Sequence, residues 1–273
     1  MLKKESRISQ ANKGCSMYET IKYRVENGVA WLTLNRPDKL NAFTSQMNKE
    51  IQKAIKISAG SDEVRAIIIT GEGRAFCSGQ DLSDVNEGMN LGQMLRDDYG
   101  PMMQQIANCE KPIIAAVNGV AAGAGFSLAL ACDFRLVSEK ASFLNAFVNI
   151  GLIPDSGNLY YLSRIVGHAK ALELSLLGEK VPAAEAKNIG LATKVIDVEE
   201  WNEQLKAFAE NIANKPTKAI GLIKRYLEAS YHLSLEEYLK EEAEGQRIAG
   251  LTKDYAEGVA AFTEKRKAQF IGK

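Results

Sequence analysis

Residues 111–157 constrain the fold more tightly than any other stretch. After Lys111-Pro112, the run Ile-Ile-Ala-Ala-Val at 113–117 is apolar without alternation. A strand of that kind is buried on both faces, and the proline suits its beginning. Asn118-Gly-Val-Ala-Ala-Gly-Ala-Gly125 then breaks the chain with glycines, and residues 124–132 have the length and small side chains of a closely packed helix. Such a turn delivers backbone N–H groups at a helix N-terminus, where negative charge is stabilised. The stretch closes with Gly151-Leu-Ile-Pro-Asp155-Ser-Gly157, which sets a carboxylate directly after a proline.

Other segments can be placed around this centre. Residues 20–26 and 29–34 alternate at period two around Asn27-Gly28, a strong hairpin signal. Met47, Ile51, Ala54 and Ile55 recur at helical spacing, which predicts an amphipathic helix to about residue 58. Residues 66–70 form a second buried strand ending at Gly71-Glu-Gly73, so the order of strand, glycine turn and helix is met twice. Parallel strands ending in such loops put their functional groups at one sheet edge. Residues 83–94, rich in Gly, Asn and Asp, predict a mobile segment and a ceiling over a pocket, leading into a helix to about residue 109. Beyond Ser156 the pattern is helical over 158–164, 169–177 and 183–189, with a short strand at 194–196 and long helices from 198 onward. Ser234-Leu-Glu-Glu237 reads as a capping box, and Asp254 as the cap of a last helix through Arg266. Residues 1–16 are polar, basic and without periodicity. They read as a disordered extension or a start codon placed upstream of Met17, and their brevity and Glu5 weaken the case for a transit peptide.

The 273 residues suffice for one large core, taken as 17–200, with a helical appendage at 201–273. A formal net charge of zero argues against nucleic acid or an anionic membrane as the main partner. No apolar run approaches the roughly 18 residues of a membrane span. Cys15, Cys77, Cys109 and Cys132 lack metal-ligand spacing, so buried, inert thiols in a reducing cytoplasm are expected. His168 and His232 are too isolated to suggest a metal pair, and Asp84, Glu87, Asp97 and Asp98 read as solvated.

Four blocks together resemble the crotonase family, also called the enoyl-CoA hydratase/isomerase family. They are Leu34-Asn-Arg-Pro-Asp-Lys-Leu-Asn-Ala-Phe43, Gly73-Arg-Ala-Phe-Cys-Ser-Gly-Gln-Asp-Leu82, residues 118–133 and residues 151–157. The resemblance covers the chain from about Tyr18 to the C-terminus. It implies an α/β fold of repeated β-β-α units with a C-terminal helical region that assembles trimers or dimers of trimers. It also implies an acyl-CoA thioester as substrate, with no further cofactor and no metal. The backbone N–H groups of Gln80 and Ala124 would hold the thioester oxygen, since preorganised donors stabilise the enolate or oxyanion that forms there. On spacing alone, Gly79, Gly123 and Gly125 could equally serve tight strand–helix packing. The CoA arm would run along Lys39, Leu40, Ala42, Ala75, Ser78, Asp81 and Leu82, and Phe262 and Lys265 would reach a neighbouring subunit's nucleotide.

The acid–base residues separate this chain from the family's hydratases. The resemblance implies glutamates at the positions held here by Ser127 and Phe147, and hydration is well served by two carboxylates. What remains is Asp155. The patterns Val-Asn-Gly-Val-Ala-Ala-Gly-Ala-Gly and Gly-Leu-Ile-Pro-Asp are similar to the branch that isomerises ring-epoxidised phenylacetyl-CoA, where that aspartate is catalytic. Partial desolvation by Ile153, Phe126 and Phe147 would raise its pKa and make it a better base. From the residues alone, Asp155 could instead be the N-cap of the next helix. Asn158 departs from the glycine common after Gly157 in the family. The resemblance therefore implies an acyl-CoA isomerase, with a hydratase or a catalytically weak acyl-CoA-binding member as alternatives.

Overall fold

The computed structural model describes residues 17–81, 83 and 88–273. The expectations for residues 1–16, Leu82, Asp84 and Glu87 lie outside the described residues.

The chain opens with a hairpin. Strand β1 (Ile21–Glu26) returns as β2 (Val29–Leu34), paired antiparallel from Ile21 with Leu34 to Glu26 with Val29. Asn27 and Gly28 both take positive φ, 51° and 77°, the handedness that matches the twist of the two strands. Helix α1 (Ser45–Gly60) follows, its first turn capped by the Thr44 hydroxyl and its inner face formed by Met47, Ile51, Ala54 and Ile55.

From there one plan recurs: a strand in a central sheet, a turn, a short strand in a second sheet, then helix; the turn carries glycine in the first two units and is Glu139-Lys140-Ala141 in the third. Strands β3 (Ala66–Gly71) and β4 (Ala75–Cys77) form the first pair. They are followed by α2 (Leu91–Met94), a π-helical turn at Leu95–Tyr99 and α3 (Gly100–Ala107). The second unit is β5 (Ile113–Val117), β6 (Val120–Ala122) and α4 (Ala124–Ala131). The third is β7 (Phe134–Ser138), β8 (Ser142–Leu144), α5 (Asn158–Val166) and α6 (His168–Leu177). Strand β9 (Lys180–Pro182), α7 (Ala183–Asn188) and β10 (Lys194–Ile196) complete the sheets. Helices α8 (Trp201–Ala213), α9 (Thr217–Ala229), α10 (Leu235–Gly250) and α11 (Lys253–Thr263) end the chain.

The central sheet has the order β1-β2-β3-β5-β7-β10 and is parallel except at β1–β2. The second has the order β4-β6-β8-β9 and is parallel except at β8–β9. Alternation along the central strands splits the core in two. Ile67, Ile69, Ala115 and Val117 join a large cluster with residues of α1, α3 and α4. Ala66, Ile68, Ile114 and Ala116 meet Leu205, Ala209 and Ala213 of α8. Cover on both faces explains why residues 113–117 show no polar alternation. Helix α4 is buried along nearly its whole length. A Cβ on Gly125 would stand 2.3 Å from the Cys77 carbonyl oxygen, so this glycine sets how closely α4 approaches β4.

Two expectations are corrected. Val120–Ala122 is a strand rather than part of a turn, because its small residues pair with Ala75 and Cys77 on one side and with β8 on the other. Asp254 does not cap α11. The Thr252 hydroxyl accepts the Tyr255 amide at 3.0 Å, and the helix ends at Thr263 rather than Arg266. The buried Asp254 carboxylate instead accepts the amides of Ile271 and Gly272 at 2.7 and 2.8 Å. Arg65 secures the same tail, donating to Thr217 Oγ1 and to the carbonyls of Lys215 and Phe270. The capping box at Ser234 and Glu237 is formed as expected. No helix among the described residues is long and apolar enough to cross a membrane.

Candidate active site

The blocks around Leu40 and Gly79 lie side by side. The Ser78 amide donates to the Leu40 carbonyl at 3.1 Å, Phe43 to Gly79 at 2.7 Å, and Asp81 to Phe43 at 3.0 Å. In this parallel bridge the bonds to Phe43 come from the residues flanking Gln80. The Gln80 N–H therefore points to the other side. Gly79 takes φ 98°, and Gly123 takes φ 52° with ψ −127°, conformations that suit glycine alone. A Cβ on Gly79 would lie 3.1 Å from the Ala122 carbonyl oxygen and 3.5 Å from the Ala124 amide nitrogen. The two turns thus touch through bare backbone. Ala124 is the first residue of α4, so its N–H has no acceptor within the helix. Among the described residues, neither the Gln80 nor the Ala124 amide donates a hydrogen bond.

The residues expected along the CoA arm are partly brought together. Lys39 is exposed, and its carbonyl accepts the Ser78 hydroxyl at 3.5 Å. Leu40 takes φ 50°, while Ala42 and Ala75 are buried. Asp81 is buried and its carboxylate is fully engaged, with Arg36 at 2.8 Å on one oxygen and the Ser83 hydroxyl at 2.6 Å on the other. Those partners hold its pKa at about 2, and its side chain clamps the loop. Arg36, which the sequence reading did not single out, also donates to the Ala42 carbonyl and so ties both blocks together. Phe262, 88% exposed, and Lys265 lie at the end of α11 on the surface of this chain.

Asp155 occupies a loop between the turn at Gly151 and α5. Gly157, at φ 77°, holds the N-cap position of α5, which has no side-chain cap. The carboxylate is therefore free of the capping role open to it from sequence. Among the described residues it accepts one hydrogen bond, from the Ser156 hydroxyl at 2.9 Å on Oδ1. Burial raises its pKa above the ordinary aspartate value, against that single stabilising bond. The group causing the burial is not Ile153, which is 80% exposed because the loop turns its apolar side chains outward. Phe126 points into the core against Phe143, ring centroids 5.0 Å apart. Phe147 is buried beside the Gly123 turn, its Cζ 3.9 Å from where a Cβ on that glycine would be.

Tyr99 is the residue missed by sequence reasoning. It ends the π-helical turn, is buried against Phe43, and donates its hydroxyl to Gln80 Oε1 at 2.5 Å. Its pKa is pushed up by burial first and then by the negative charges of Cys77 and Asp155 in their ionised forms. One tyrosine thus ties the π-helical turn to the Gln80 turn. Single-turn π segments recur at functional sites, but nothing in the sequence marks one. Beside the Gln80 turn opens a cleft of about 310 Å³ lined by Ser45, Gln80, Met89, Asn90, Gln93, Met94 and Asp98, so the expected ceiling is met in part. Asp98 is half-buried there and accepts the Ser45 hydroxyl, unlike the solvated residue expected. Burial pushes the thiols of Cys77 and Cys132 up to about 12, which leaves them protonated and inert.

Repeated β-β-α units in two sheets, with glycine turns that leave two amides unpaired, define a crotonase fold. The family described as enoyl-CoA hydratase/isomerase matches residues 24–273. The chain is 41% identical over 262 residues to the 1,2-epoxyphenylacetyl-CoA isomerase of Escherichia coli, covering 94% of this chain and all of that one. It is 42% identical over 257 residues to a Rhodobacter capsulatus protein named "Probable enoyl-CoA hydratase", covering 94% and 99%. An enoyl-CoA hydratase subunit I structure from Geobacillus kaustophilus superposes with a TM-score of 0.88 at 34% identity, covering 94% and 99%. The chain belongs to the enoyl-CoA hydratase/isomerase family.

Proposed function

We propose that this protein is an acyl-CoA isomerase in which Asp155 moves a proton between two carbons of a thioester-activated acyl group. The observation that carries this reading is the state of that carboxylate: it caps no helix, holds one hydrogen bond, and is made more basic by burial. A base of this kind abstracts a proton from carbon, and the electron pair runs into the thioester carbonyl as an enolate. The amides of Gln80 and Ala124 accept that charge; losing one such donor typically costs about 3 kcal/mol of barrier. Asp155 then returns the proton at a different carbon. An unsaturated acyl-CoA or a ring-epoxidised aromatic acyl-CoA meets these requirements.

Hydration by two carboxylates is disfavoured because Ser127 and Phe147 stand where those two acid–base groups would be, and both are buried. The relatives named above include both a hydratase and an isomerase, and oxygen-18 from solvent appearing in product would favour hydration. Assembly as trimers would bring the exposed Phe262 and Lys265 to a neighbour's nucleotide. The deciding experiment is proton–deuterium exchange into a panel of acyl-CoAs followed by NMR, with wild type and Asp155→Asn. Asp155→Asn is expected to lose several orders of magnitude in exchange while still binding CoA thioesters. Undiminished exchange in that variant refutes the reading.

A further inference from the structure

Beneath the Asp155 loop runs a chain of buried polar side chains that the reaction does not consume. Ser127 on α4, Asn158 at the start of α5, Asn145 after β8 and Ser175 on α6 are all buried. Asn145 Nδ2 lies 2.9 Å from Ser175 Oγ and 3.1 Å from Asn158 Oδ1. Asn158 Nδ2 in turn donates to Ser127 Oγ at 3.2 Å. With that lone pair taken, the single Ser127 hydroxyl proton has two acceptors in reach: the Asp155 carbonyl at 3.0 Å and the Gly123 carbonyl at 3.3 Å. The Asp155 carbonyl also accepts the Asn158 amide at 2.9 Å.

The loop is otherwise tied by the Leu152 amide, which donates to the Phe147 carbonyl at 3.0 Å. Leu152 and Ile153 are exposed, and among the described residues the Asp155 carboxylate accepts a hydrogen bond only from its neighbour Ser156. We propose that Ser127 and Asn158 are positioning residues that fix the Asp155 backbone relative to the turn carrying the Ala124 amide. Ser127 is the member that reaches both, since Gly123 lies one residue before that amide. The network sets the distance between the base and the site of charge development; errors of about 1 Å in such geometry can cost about 100-fold in rate. This inference rests on the proton-shuttle reading of Asp155.

The test compares Ser127→Ala, Ser127→Thr, Asn158→Ala and Asp155→Asn in the full-length protein, measuring Tm, kcat, KM and the pH dependence of kcat on one acyl-CoA. Ser127→Ala and Asn158→Ala are expected to lower kcat about 10- to 100-fold with KM little changed. Their acidic limb should move to lower pH, because a loosened loop gives the Asp155 carboxyl more water. Ser127→Thr, which keeps the hydroxyl, is expected to recover rate and pH limb. If Asp155→Asn is inactive while both alanine variants keep wild-type kcat per folded molecule and an unmoved pH limb, the positioning role is wrong, whatever their Tm. If Asp155→Asn is active, the proton-shuttle reading fails and this inference falls with it.

Discussion

Gly79→Ala separates the packing role of the glycine turns from their role as donors. Alanine at φ 98° carries a backbone penalty of roughly 1–2 kcal/mol wherever it occurs. At this position there is a second effect. The new methyl would stand 3.1 Å from the Ala122 carbonyl oxygen, closer than ordinary contact, so the turns must part by a few tenths of an ångström. Ala122 leads through Gly123 directly to Ala124, so the displacement moves one unpaired amide away from the other. Full loss of one donor costs about 100- to 1000-fold in turnover. A partial displacement should therefore cost about 10- to 100-fold.

Gly190→Ala supplies the control. Gly190 takes φ 77°, and a Cβ there meets nothing within 4 Å. It shares the conformational penalty without the collision. Urea unfolding should place Gly190→Ala roughly 1–2 kcal/mol below wild type and Gly79→Ala at least as far below. Turnover per folded molecule should fall in Gly79→Ala alone. If Gly79→Ala loses stability but keeps wild-type turnover, the facing turns are a packing device and the amides of Gln80 and Ala124 are not the charge-stabilising pair.

Two more outcomes can be stated. Burial raises the Asp155 pKa, so the folded state binds that proton more tightly than the unfolded chain, and stability falls as pH rises between the two values. Asp155→Asn should consequently raise Tm at neutral pH while abolishing turnover, with the gain vanishing as pH drops to the ordinary aspartate value; a lower Tm at pH 7 contradicts the burial argument. Asp254→Ala removes a buried carboxylate that holds two tail amides and should cost about 2 kcal/mol in urea unfolding, with turnover per folded molecule retained. No change in unfolding would mean that Arg65 alone secures the tail.

What could be read from sequence follows from how far each signal reaches along the chain. The strand at residues 113–117 and the Asn27-Gly28 hairpin are local, and both are found where expected. The three-residue strands β4, β6 and β8 are too short to show a period, and their partners are distant: Ala75 pairs with Val120, and Val120 with Ser142. Candidate site residues divide the same way. Glycines 79 and 123 are visible because only glycine serves such φ values, whereas Tyr99 meets Gln80 across 19 residues on a π turn that no pattern announces. Asp155 stayed ambiguous because capping depends on the conformation at Gly157, which places the cap two residues downstream.

Ser127 and Asn158 show what such distance conceals. In sequence they are two unrelated departures, a serine where a glutamate is implied and an asparagine where a glycine is common. In the structure they are hydrogen-bonded at 3.2 Å, and both meet the Asp155 carbonyl, one through its hydroxyl and one through its amide. A glutamate at 127 would need room and a partner for its charge in a position that is wholly buried, next to an asparagine donor already committed to the serine oxygen. A glycine at 158 would leave the serine without that donor and Asn145 with Ser175 as its remaining acceptor. Ser127 and Asn158 are therefore one physical unit: the asparagine donor is matched to the serine oxygen, and the pair holds the Asp155 carbonyl from two sides.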